Sequence, residues 1–198
     1  MSGIVYSPAF VESMDGLNDI EGTYSNIPGD PGGETICGIT KRYHPEWFAR
    51  VMEEKDFEKR KKLLRAFYHC KYWKRFRCNQ LGATWTWTAF AHFVMAVNAE
   101  AGACDAEAAT CAFYDVDSLK TCVNTFSDTF TAIILIKYQR QHYDELVRIN
   151  PEKLKFYRSW MRRLFYPIEQ KAMAMLNAFV ENRVLVQDTV ALMKKVGV

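Results

Sequence analysis

Apolar residues recur along most of the chain at the three- and four-residue intervals of a helix. Phe10, Val11, Met14, Leu17 and Ile20 follow this spacing after a start signal in which Ser7 serves as N-cap and Pro8 takes the first helical position. Gly22 stops the pattern, so Glu21 falls at the end of the first predicted helix. The stretch 22–38 holds Pro28-Gly29-Asp30-Pro31-Gly32-Gly33 and cannot continue a helix; it predicts a turn-rich loop or a short irregular hairpin. Helical spacing resumes at Pro45 and predicts helices over 45–54, 56–77, 84–99, 104–113, 117–148, 152–166 and 167–196, the last interrupted near Asn182. Most of the glycine and proline lies before residue 46, and the predicted class is mainly α.

Bulk properties narrow this picture. A chain of 198 residues, 49% hydrophobic and 14% aromatic, is long and apolar enough to bury a core, and it has the length of one domain over 1–198. The first residues carry neither a basic stretch nor an apolar run, and no segment supplies the roughly 18 apolar residues of a spanning helix, so synthesis in the cytoplasm is expected. Cys37, Cys70, Cys78, Cys104, Cys111 and Cys122 form no paired metal-ligand spacing with one another or with histidine, so free thiols are expected and a zinc site is not. His44, His69, His92 and His142 are scattered without catalytic spacing and read as structural. The amphipathic pattern from Ile168 to Val198 reads as core packing, with contact at a membrane surface as the alternative.

Net charge is only +3, but its layout is uneven. Between Lys59 and Arg77 lie Arg60, Lys61, Lys62, Arg65, Lys71, Lys74 and Arg75, with no acid among them. Such a run is either a solvated helix face or an attraction to an anionic polymer or envelope surface. Binding of nucleic acid would rest on this run alone and would leave the residues from 21 to 40 without a purpose, so it is not expected.

Those twenty residues, 21–40, crowd carboxylates, hydroxyls and five glycines together. They make poor core and suggest a site. Glycoside hydrolysis needs a protonated carboxyl to donate to the leaving oxygen and a second polar group to hold water or steady the positive charge on the sugar; Glu21 and Asp30 could supply both. A carboxyl at a helix C-terminus meets the negative end of the macrodipole, and apolar walls would raise its pKa further, which suits a general acid. Tyr24, Trp47, Tyr72, Trp73, Trp85 and Trp87 could cover sugar faces, with Tyr24 the best placed because it lies inside this stretch.

Glu21-Gly22-Thr23-Tyr24, followed by Asp30-Pro31-Gly32-Gly33-Glu34-Thr35-Ile36-Cys37-Gly38-Ile39-Thr40, resembles the hallmark of the glycoside hydrolase family 108 muramidases. That hallmark is a Glu-Gly-Gly-Tyr motif and an Asp-Pro-Gly-Gly-x-Thr-x-x-Gly-Ile-Thr loop. Tyr72-Trp73 and the stretch from Phe93 to Asn98 are similar to the family's middle helices, and Pro151, Phe156, Trp160 and Arg163 to its C-terminal helix. Thr23 stands where the hallmark has its second glycine, Val94 where relatives carry Asp, and Ser159 where they carry Gly.

The resemblance implies a lysozyme-like helical domain with a turn-rich active-site loop and C-terminal helices. Residues 1–100 would be the catalytic part, and 101–198 a helical part with a possible peptidoglycan-binding region. Glu21 would protonate the β-1,4 bond after N-acetylmuramic acid, with Asp30 and Thr35 across the cleft; Tyr24, Gly32, Gly33, Gly38 and Asn98 would touch the glycan. The chemistry needs no metal or organic cofactor. The implied biology is a monomeric phage or prophage endolysin that acts on the wall or in the periplasm once a holin-type protein opens the inner membrane. The same chemistry in a virion-associated or secretion-linked wall cutter, and an inactive peptidoglycan-binding module, are the alternatives.

Overall fold

A computed structural model describes residues 5–18, 24–26, 33–84, 86–102 and 116–196, with side chains at 5–17, 24–26, 33–84, 86–97 and 116–181 except 163, 167, 175, 176, 179 and 180. The architecture is mainly α, as the periodicity predicts. Helix α1 spans Pro8–Asn18 and starts where expected: the Ser7 side chain accepts from the Phe10 amide at 3.2 Å. Helix α2 (Pro45–Glu53) has its proline in the first turn, and α3 (Phe57–Tyr68) is capped by Asp56, whose side chain accepts from the Lys59 amide. The helix predicted over 56–77 then widens into a π-helical stretch, His69–Trp73, and closes with turns before a 3-10 turn at Cys78–Gln80. Helix α4 spans Trp87–Gly102, and the helix expected over 104–113 lies outside the described residues.

Two predicted boundaries are corrected. The helix expected over 117–148 is two helices, α5 (Val116–Thr125) and α6 (Asp128–Ile149). Ser127 breaks them apart: its backbone is extended and its side chain accepts from the Phe130 amide, so α6 restarts with its own cap. The two helices expected over 152–166 and 167–196 are one, α7 (Leu154–Val196), which runs through Pro167 and Asn182 without interruption. A 3-10 turn at Pro151–Lys153 leads into it. Among the described residues no helix is long and apolar enough to cross a membrane.

One core joins the first four helices to the loop between α1 and α2. Phe10, Met14 and Leu17 of α1 meet Phe48 and Val51 of α2, Leu64, Phe67 and Tyr68 of α3, and Phe93 and Val97 of α4. Rings interlock edge to face at its centre, with the Phe10 centroid 5.4 Å from that of Trp73 and 6.1 Å from that of Phe93. Trp73 is 1% exposed and Tyr72 is buried beside it, so both serve packing and neither is available to a sugar. A second cluster, Ala91, Met95, Leu119, Ala132 and Leu135, ties α4 to α5 and α6. Asp128 locks that junction: its carboxylate accepts from the Trp87 and Thr88 amides at 2.8 and 2.9 Å, and its carbonyl accepts from the Thr88 hydroxyl at 3.0 Å. The Tyr143 and Trp160 rings stack at 4.9 Å between α6 and α7, and Lys171 donates to Glu12 at 2.9 Å between α7 and α1.

Several arginines of the basic run serve the fold. Arg65 reaches Asp15 at 3.4 Å, Arg77 reaches Asp117 at 3.3 Å, and Arg60 donates to the Glu54 carbonyl. Lys59, Lys62 and Lys74 project into solvent. Of the cysteines, Cys37, Cys70, Cys78 and Cys122 form no disulfide, with Cys78 buried and Cys70 exposed; Cys104 and Cys111 lie outside the described residues.

Candidate active site

Of the two forms expected for 22–38, a turn-rich loop or a short irregular hairpin, the described residues take the second, and the pairing extends to Thr40. Strands β1 (Tyr24–Ser25), β2 (Thr35–Ile36) and β3 (Ile39–Thr40) form an antiparallel sheet in that order. Ile36 and Ile39 alternate inward and are buried in the main core, which seats the hairpin on the helices. The two-residue turn between β2 and β3 is Cys37-Gly38, both at positive φ, 47° and 76°, as a hairpin turn matched to strand twist demands. The Tyr68 hydroxyl of α3 donates to the Cys37 carbonyl at 2.8 Å and ties the turn to the helical body.

Register sorts the side chains onto two faces. Ser25 stands opposite Thr35, and Thr35 opposite Thr40, so three half-buried hydroxyl residues form one row across the sheet. A row of hydroxyls can hold water or the hydroxyls of a sugar, because each donates and accepts. Tyr24 lies on the other face, opposite Ile36, and is 50% exposed. Its hydroxyl donates to Glu34 Oε1 at 3.1 Å, and Lys41 Nζ donates to Glu34 Oε2 at 2.7 Å. The Lys41 ammonium, followed by the Tyr24 hydroxyl, holds the Glu34 carboxyl below the usual glutamate range, and Glu34 in turn holds Lys41 above the usual lysine range.

Of the residues expected at the site, the structure brings Tyr24, Gly33, Thr35 and Gly38 together in this hairpin. Gly33 has φ +68° and a Cβ there would meet nothing within 4 Å, so backbone conformation accounts for this glycine, as it does for Gly38 in its turn. Glu21, Asp30 and Gly32 lie outside the described residues, as does Trp85; Asn98 lies in α4 with its side chain outside them. Trp47 is half-buried beside Phe67, with the Arg50 guanidinium 4.6 Å from its ring centre. The reading of the sequence missed Glu34 and Lys41. Their signal was symmetry: once Cys37-Gly38 is the turn, residues 36 and 39, 35 and 40, then 34 and 41 face each other. Among the described residues no group of three or more His, Cys, Asp or Glu could hold a metal ion.

Comparison with known proteins points to the glycoside hydrolases for the part of the chain that holds this hairpin. Residues 14–99, from Met14 in α1 to Ala99 in α4, match the sequence model of the family described as Glycosyl hydrolase 108. No curated protein and no solved structure matches the chain.

Proposed function

We propose that this protein is a glycoside hydrolase, and specifically a muramidase that cuts the β-1,4 bond between N-acetylmuramic acid and N-acetylglucosamine in bacterial peptidoglycan, with Glu21 as the general acid. The observation that carries this reading is that the hallmark running from Glu21 to Thr40 lies wholly inside the matched segment, and that its residues 33–40 form a hairpin whose Thr35 and Thr40 join Ser25 in a row of hydroxyls. Glu21 protonates the glycosidic oxygen, which lets the bond break as positive charge develops on the sugar carbon. Thr35, with Asp30, holds water or the sugar on the opposite side. Tyr24 offers an exposed ring to an apolar sugar face.

The family match ends at residue 99, which supports a division into a catalytic part over 1–100 and a helical part over 101–198 that helps to hold the wall. The biological role we infer is that of an endolysin, released to the wall for host lysis. Mass spectrometry of the fragments released from purified sacculi tests the specificity. Reducing N-acetylmuramic acid ends are expected, whereas reducing N-acetylglucosamine ends would make the enzyme a glucosaminidase.

A further inference from the structure

The hairpin that carries the proposed site is small for its task. Each strand is two residues long, and sheets of this size gain little from their own ladder hydrogen bonds. A register slip of one residue would turn Thr35 to the core side and Ile36 outward. Side chains make up the difference. Tyr24 belongs to β1, Glu34 immediately precedes β2 and Lys41 immediately follows β3, so their two hydrogen bonds span all three strands on one face. The Lys41 amide also donates to the Glu34 carbonyl at 2.9 Å, which extends the β2–β3 ladder by a step.

We propose that Glu34 is a positioning residue for hydrolysis: held by Lys41 and holding Tyr24, it clasps the three strands and so fixes the exposed Tyr24 ring on one face and, through strand register, the Thr35 hydroxyl on the other. This rests on the muramidase reading above. The Tyr24 hydroxyl proton is committed to Glu34, so that hydroxyl anchors the ring while the ring itself does the binding. β1 also begins three residues after Glu21 in sequence, so the clasp fixes the downstream anchor of the segment that carries the acid. The carboxylate held low and the ammonium held high keep the clasp charged throughout the neutral range.

The test uses the full chain and labelled glycan strands prepared from sacculi, with kcat and apparent KM measured for wild type, Tyr24→Phe, Glu34→Gln and the double variant. Tyr24→Phe keeps the ring and removes only the anchor. Each single variant is expected to lose roughly 10- to 100-fold in kcat, the range for a misplaced site, with KM little changed. The double variant is expected to lose no more than the worse single, because both break one unit. Lys41→Gln, which leaves the Tyr24 to Glu34 bond in place, should lose less and serves as the second probe if Glu34→Gln does not fold. Wild-type kcat in Tyr24→Phe and Glu34→Gln, losses that multiply in the double variant, or a raised KM at unchanged kcat would each overturn the clasp. A wild type that cuts no glycan overturns the muramidase reading itself, and the clasp falls with it as a catalytic device.

Discussion

Cys37 and Gly38 share a turn in which both residues hold a positive φ, but only one is glycine. The left-handed conformation costs an L-residue about 1 to 2 kcal/mol, so the turn already carries one strained residue at Cys37. Its carbonyl bond from Tyr68 and the buried Ile36 and Ile39 on either side compensate. Gly38→Ala would add a second strained residue and is expected to cost about 1 to 2 kcal/mol, read as a lower midpoint in denaturant. Gly33→Ala isolates the same effect without crowding, since the added methyl meets nothing within 4 Å, and should cost a similar amount. An unchanged midpoint in both would mean that backbone strain does not hold these glycines in place. Glycines had been legible in the sequence as turn material or as points of close approach to a sugar; conformation accounts for both positions here.

At the level of elements, Asp128 does two jobs from one position. It opens α6, and its carboxylate receives the first two amides of α4. Two donors of a helix N-terminus lose their partner if it is removed, so Asp128→Ala should cost about 1 to 2 kcal/mol by denaturant titration, with Asp128→Asn milder. Equal stability of Asp128→Ala and wild type would show that the α4–α6 junction rests on apolar packing alone. Helix starts marked by a cap or a proline, at Ser7 and Pro45, were legible because those residues act locally. The gap between α5 and α6 was not, because apolar spacing continues from Leu119 to Leu135 across it, and Ser127 outweighs the periodicity only through its cap. The boundary expected between residues 166 and 167 fails in the opposite direction, and Pro167 sits just past it. A proline inside a helix removes one hydrogen bond, and helical structure continues on both sides of it here. In the site, the motif itself was legible by resemblance, whereas the Tyr24–Glu34–Lys41 clasp depends on strand register and became visible only when the hairpin was folded.

Across the whole molecule, buried histidines link stability to pH. His92 is 3% exposed, with Nε2 2.9 Å from the Phe76 carbonyl, and burial, outweighing that bond, pushes its pKa below the ordinary 6.5. Burial lowers His69 and His142 as well, with Lys74 and Lys153 respectively adding to it. Below pH 6.5 the unfolded chain takes up protons that the folded chain refuses, so stability falls as pH drops from 6.5 towards the folded-state values and levels off beneath them. The Tm should therefore be lower at pH 5.5 than at pH 7.5, and His92→Gln, which keeps a donor for Phe76, should show a smaller drop. The same drop in His92→Gln would remove His92 from the account.

The central claim is that an acid at Glu21 cuts glycan, and its most direct test is the solubilisation of purified, outer-membrane-free sacculi by wild type and by Glu21→Gln. Gln is nearly isosteric but cannot give up a proton to the leaving oxygen. The account predicts that wild type releases soluble fragments and that Glu21→Gln, with the same circular dichroism and the same Tm, releases none. Release by Glu21→Gln at the wild-type rate would contradict the assignment of the acid, and binding without cutting by both would make the chain a peptidoglycan-binding module.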